Sequence, residues 1–174
     1  MSNTSQPEVW LRGPIAGIPA LLQPVAHSLI QCREELTANV AGLTPEQIWT
    51  QPSGAASIGF HIRHAAGSLD RLFTYARGEQ LSAAQRAALS GEAHPDIAPN
   101  VGARLLTAFD ETVGLALEQL NRTNEATLLD VRTVGRAQLP STVLGLLFHA
   151  AEHTQRHAGQ VATTVKVVSP PDTG

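Results

Sequence analysis

The residues of this chain best equipped for chemistry are histidines, and they recur at helical spacing. The stretch Phe148-His149-Ala150-Ala151-Glu152-His153-Thr154-Gln155-Arg156-His157-Ala158-Gly159-Gln160 sets three imidazoles four residues apart. Side chains at i and i+4 stand on one helical face with Cβ atoms about 6 Å apart, close enough for two neutral imidazoles to grip one metal ion. A second cluster lies far upstream, in Ser57-Ile58-Gly59-Phe60-His61-Ile62-Arg63-His64-Ala65-Ala66-Gly67-Ser68. Two such helices packed side by side could close a three-histidine site. Imidazole donors suit zinc or nickel, and three of them leave one coordination position for an exchangeable ligand.

Spacing narrows the choice of ligands. His149, His153 and His157 span two turns, about 12 Å, too long for all three to reach one ion from a straight helix. Both 149/153 and 153/157 have the right separation, so His153 is common to either pair. On the upstream helix His61 and His64 lie one turn apart, and either could face the ion. Any one of these histidines alone is more simply a packing or surface residue; their clustering is what argues for a site.

The elements that must position these rings read as four long helices. From Ala20 to Val40 the apolar residues recur at spacings of three and four, and Gly42 ends the run. Thr44-Pro45-Glu46-Gln47 is a helix-start signature followed by a short turn of helix. The second long helix runs from about Ser57 to Arg77, with Gly78 beyond it. Ser82-Ala83-Ala84-Gln85 starts a short helix over 82–89 inside a long connection, and Ser90 to Pro99 reads as loop. Asn100 can cap a third helix reaching Asn121, with Leu115 and Leu117 on its apolar side. Residues 131–139 alternate weakly around Gly135, as a small hairpin or an extended loop would. Pro140 or Ser141 then opens the fourth helix, which Ser169-Pro170-Pro171 stops. The expected class is therefore all-α, a four-helix bundle whose long second connection would permit a crossover. Residues 1–18 read as a loosely packed leader, 19–168 as one domain, and 169–174 as a tail.

Composition removes several function classes. The 174 residues are 43% hydrophobic and carry a formal charge of −3 with scattered basic residues, which gives no electrostatic footprint for nucleic acid. No apolar run approaches the roughly 20 residues that span a bilayer, so a soluble, cytoplasmic protein is expected. Cys32 is the single cysteine, so an internal disulfide and a four-cysteine zinc site are both impossible. On an apolar helix segment it reads as a small buried residue rather than a nucleophile.

Two motifs carry a family resemblance. His153-Thr154-Gln155-Arg156-His157-Ala158-Gly159-Gln160 resembles the H-x-x-x-H-x-G-Q segment of the DinB/YfiT-like (DNA-damage-inducible) superfamily, and Ser57 to His64 resembles its second-helix motif. The resemblance implies a four-helix bundle, often a homodimer, holding a divalent ion through His64, His153 and His157. His61 and His149 then stand one turn before an inferred ligand, where each could orient that ligand, line the pocket or serve as general base. Arg63 and Arg156 flank the ligands and could bind an anionic cofactor carboxylate. Asp70 and Glu152 could accept an imidazole N–H. The resembled family includes transferases that use low-molecular-weight thiols. The leading expectation is therefore a metal-dependent, thiol-dependent S-transferase of detoxification type acting on a small molecule. The same centre could instead drive hydrolysis by bound water, or merely stabilise a non-catalytic, stress-associated metal-binding protein. His153→Ala should abolish tight metal binding whichever pair is used, whereas His149→Ala should spare it; metal titration of untagged protein reads both, and the reverse order would discredit the register.

Overall fold

The computed structural model describes residues 6–169, so Pro170 and Pro171, expected to stop the last helix, lie outside the described residues. Among the described residues, besides short 3-10 turns, are six α-helices and one hairpin: α1 (Gln23–Val40), α2 (Pro45–Trp49), α3 (Ile58–Ala76), α4 (Ala83–Gly91), α5 (Val101–Arg122), β1 (Val131–Val134), β2 (Leu139–Thr142) and α6 (Val143–Val168). The class is all-α, with α1, α3, α5 and α6 as the long members.

Local chemistry sets the boundaries. Thr44 and Ser82 each accept from the amide three residues on, while Gln47 and Gln85 bond back to the cap amide, so both expected capping boxes are present. Ser57 caps α3 through Phe60 N, placing His61 and His64 on the first two turns. Asn100 makes no side-chain cap bond to α5. Pro140, expected at the start of the last helix, sits instead in β2 opposite Thr133. Thr142 is the cap of α6, its hydroxyl accepting from Gly145 N at 3.0 Å. Proline cannot donate to a ladder, but a two-stranded hairpin leaves every strand an edge, which tolerates it.

α3 and α1 each pack against both α5 and α6, so α1 lies diagonally across the bundle from α3, and α5 from α6. The diagonal steps are made by the segment carrying α2 and by the hairpin. The long connection after α3 joins neighbours, and its length serves another purpose, described below. Leu29, Leu36, Ile62, Leu69, Phe109, Leu120 and Leu147 are fully buried between the helices. On α5 the buried stripe is Val101, Leu105, Phe109, Val113, Ala116 and Leu120; Leu115, expected on it, is 67% exposed because it falls a quarter-turn outside that stripe. In the described part of the leader Val9 is buried with its amide on Gln31 Oε1 at 2.9 Å, and Arg12 grips both Glu34 oxygens at 2.7 and 2.8 Å. No helix among the described residues is long and apolar enough to cross a membrane.

Gly59 is required by a close approach. A Cβ there would lie 2.7 Å from the Trp49 ring, whose indole N–H donates to Asp96 O at 2.7 Å and so ties α2 to the loop after α4. Gly59→Ala should therefore push the ring aside and destabilise the protein by about 1–3 kcal/mol, outweighing any helix-propensity gain. Denaturant unfolding checks this, and an unchanged midpoint would show that the indole can slide without cost.

Candidate metal centre

Helices α3 and α6 run antiparallel, and their histidines meet in that order. His61 Nδ1 lies 2.9 Å from His157 Nδ1, and His64 Nε2 lies 3.1 Å from His153 Nε2. The rings of His64, His153 and His157 pack with centroids 4.6 to 5.2 Å apart. One donor atom from each of these three falls within 4.8 Å of the other two. Phe60, on the first turn of α3, stacks on His64 at 5.3 Å and meets His61 edge-on, which fixes both rings.

His64 is oriented from behind. Its Nδ1 is 2.6 Å from Glu92 Oε2, and Glu92, 5% exposed, is held in turn by Arg71 Nη1 on Oε1 at 2.7 Å. A carboxylate can only accept, so the proton lies on His64 Nδ1 and the Nε2 lone pair points at the other rings. Gly67 makes room for this arrangement: a Cβ there would stand 2.5 Å from Glu92 Oε1 and 2.6 Å from Arg71 Nη1. Glu92 follows α4 directly, so the long connection brings a carboxylate back onto α3.

The donor set fits a divalent transition metal. Tetrahedral zinc with bonds near 2.05 Å separates its nitrogen ligands by about 3.3 Å, close to the His64–His153 distance. His153 Nδ1 is buried without a partner among the described residues, so this ring is held by packing and by what its Nε2 meets. Burial first, then the neighbouring imidazoles, pushes His157 down to about 4 and also lowers His61 and His153, so these rings favour the neutral form a metal ligand needs.

The remaining site expectations fall outside the cluster. His149 is exposed at the edge of the cluster, with Nδ1 3.3 Å from Glu152 and its ring 5.5 Å from that of His153. Arg156 pairs with Glu152 one turn away, which lowers the Glu152 carboxyl, and Arg63 is bound by His94 O while lying over the Trp49 ring at 4.6 Å. Neither Asp70 nor Glu152 accepts from a clustered imidazole; Asp70 is exposed and receives Gln85 Nε2 at 2.9 Å. The acceptor is Glu92, which sequence reading missed because a lone glutamate in a Gly- and Pro-rich loop carries no local signal. Cys32 is buried and its thiol is pushed up to about 12, chiefly by desolvation. A cavity of about 1280 Å³ forms a groove between α3 and α5; Glu92 lines it but none of the three clustered histidines does.

These features define a helical bundle with an interhelical histidine centre. The sequence profile of the DinB superfamily matches residues 28–161, and the chain belongs to that superfamily. The fold is similar to the crystal structure of a conserved protein from Enterococcus faecalis, with a TM-score of 0.69 and 20% identity, over 84% of this chain and 96% of that one. No protein of curated function matches the chain.

In the metal-free protein the buried imidazoles give a definite pH dependence. An unfolded histidine takes up its proton near 6.5, whereas folded His157 does so only near 4, so between these values the unfolded chain binds more protons. Stability should be complete above about pH 6.5 and fall on acidification toward pH 4, by about 1–2 kcal/mol from His157 once solvent screening of a half-buried ring is allowed for. Urea unfolding of chelator-treated protein across pH 7 to 4 measures it; a flat profile would contradict burial of neutral rings.

Proposed function

We propose that the protein is a divalent-metal-dependent enzyme in which His64, His153 and His157 hold zinc or nickel and a low-molecular-weight thiol is transferred to a small electrophile. The observation that carries this reading is the convergence of three imidazole donors from α3 and α6, with a carboxylate fixing one of them. A divalent ion there would supply Lewis acidity that favours the ionised form of a thiol in the remaining position. Cys32 is buried with its thiol pushed up to about 12, which disfavours the thiolate, so this reading takes the sulfur from a separate molecule. Arg156, exposed at the rim and tied to Glu152 on its own helix, is better placed than Arg63 to receive an anionic group of that thiol. Detoxification in the cytoplasm, by a homodimer, is the setting that goes with this reading.

Hydrolysis is the second reading, and the His149–Glu152 pair at the edge of the centre favours it, because an imidazole beside a carboxylate can take a proton from water. In the transfer reaction the thiol sulfur forms a bond to carbon as the leaving group departs with its electron pair, and the thiol proton passes to solvent. Untagged protein loaded separately with zinc and nickel, incubated with a small thiol and a halide electrophile, should yield the thioether in proportion to metal content. Chelation and His153→Ala should both abolish it. Ester turnover without thiol would replace this reading with hydrolysis, and a metal-raised melting point with neither activity would leave a metal-binding protein only.

A further inference from the structure

The contact between His61 and His157 is the least expected feature of the centre, because both partners present the same nitrogen, Nδ1, at 2.9 Å in a buried setting. Two imidazole nitrogens at that distance share one proton, so one ring donates and the other accepts. The choice is not neutral. If His61 donated, His157 would carry its own proton on Nε2 and have no lone pair left for a cation. If His157 donates, its Nε2 lone pair is free, as Glu92 leaves that of His64. We infer that His61 is a positioning residue whose Nδ1 accepts the Nδ1–H of His157, fixing that ring as an Nε2 ligand, with its own proton on Nε2.

The role rests on the metal reading above, but the hydrogen-bond assignment does not. His61 is well placed for it. It is 7% exposed, one turn before His64 on α3, and held edge-on by Phe60. It lies outside the group of three whose donors converge, so it stands behind His157 rather than in a fourth ligand position. A neutral imidazole therefore does for His157 what a carboxylate does for His64. The two ligands receive unequal support, one from an anion and one from a neutral ring, and only the first gains basicity from a negative charge. His61 in this role has its accepting nitrogen committed to His157 and is not a general base.

Two variants and one spectroscopic measurement test this. Asparagine places Oδ1 near the position of histidine Nδ1 and can accept the same hydrogen bond, whereas leucine fills the space without an acceptor. With folding verified by circular dichroism, His61→Leu should weaken cobalt and zinc binding 10–100-fold and alter the visible spectrum of bound cobalt. His61→Asn should recover affinity to within a few-fold of the parent. Leucine binding as tightly as histidine, or asparagine as poorly as leucine, would overturn the assignment. In metal-free protein, nitrogen-15 shifts should report the Nδ1–H tautomer for His157 and the Nε2–H tautomer for His61; the reverse pair overturns it whether or not metal binds. Failure of the parent protein to bind either ion while those tautomers are found would count against the metal reading and leave the hydrogen bond standing.

Discussion

Four imidazoles stacked between α3 and α6 are the constraint around which this structure is arranged. They put eight ring nitrogens into a partly buried interhelical seam, and buried polar atoms are costly unless each finds a partner. The seam meets this demand in layers. Glu92 takes one nitrogen of His64, His61 faces one of His157, and His64 Nε2 faces His153 Nε2, while His153 Nδ1 is left without a partner among the described residues. Such a seam is poorly satisfied as plain packing and well satisfied as a cage for a cation, because the lone pairs converge where a positive charge would sit.

That demand also accounts for the route of the chain. α3 and α5 are neighbours, and a short turn would join them, yet residues 77–100 intervene. What the extra length supplies is Glu92, delivered to α3 behind His64 at the end of α4, with Arg71 balancing its charge. The loop beyond is pinned where Trp49 donates to Asp96 O and Arg63 reaches His94 O. Gly67 and Gly59 are the two places where α3 gives up a side chain so that these supports can approach. The bundle thus commits residues on α2 and α3 to holding the loop that carries Glu92 against the histidine seam.

Legibility in the sequence followed the range of the interaction. Capping boxes at Thr44 and Ser82 and the periodic apolar runs are local, and they forecast the helices closely. The i, i+4 spacing of His153 and His157 is local too, and the structure brings both to His64. Glu92 was invisible because its partner lies 28 residues away, and no periodicity links a loop carboxylate to a helix face. The last helix began later than its proline suggested because Thr142, a better cap, lay two residues on and the hairpin absorbed Pro140. Leu115 misled for the opposite reason: its hydrophobicity is real, but it borders the groove between α3 and α5 rather than the core.

Charge decides what such a centre would accept. Burial pushes His153 and His157 toward the neutral form, and the one carboxylate behind the cluster is already offset by Arg71 at 2.7 Å. A divalent ion held there would keep both of its positive charges in a partly buried seam, where solvent screens poorly. The position not supplied by histidine is therefore best filled by an anion, and neutral water or a neutral thiol gains from giving up its proton there. Arg156, close enough to disfavour protonation of His153 and His157, adds to the same preference. A centre built with a carboxylate among its ligands would have spent that charge within the protein. This one would leave it for an incoming ligand, as both the proposed thiol transfer and the alternative hydrolysis would require.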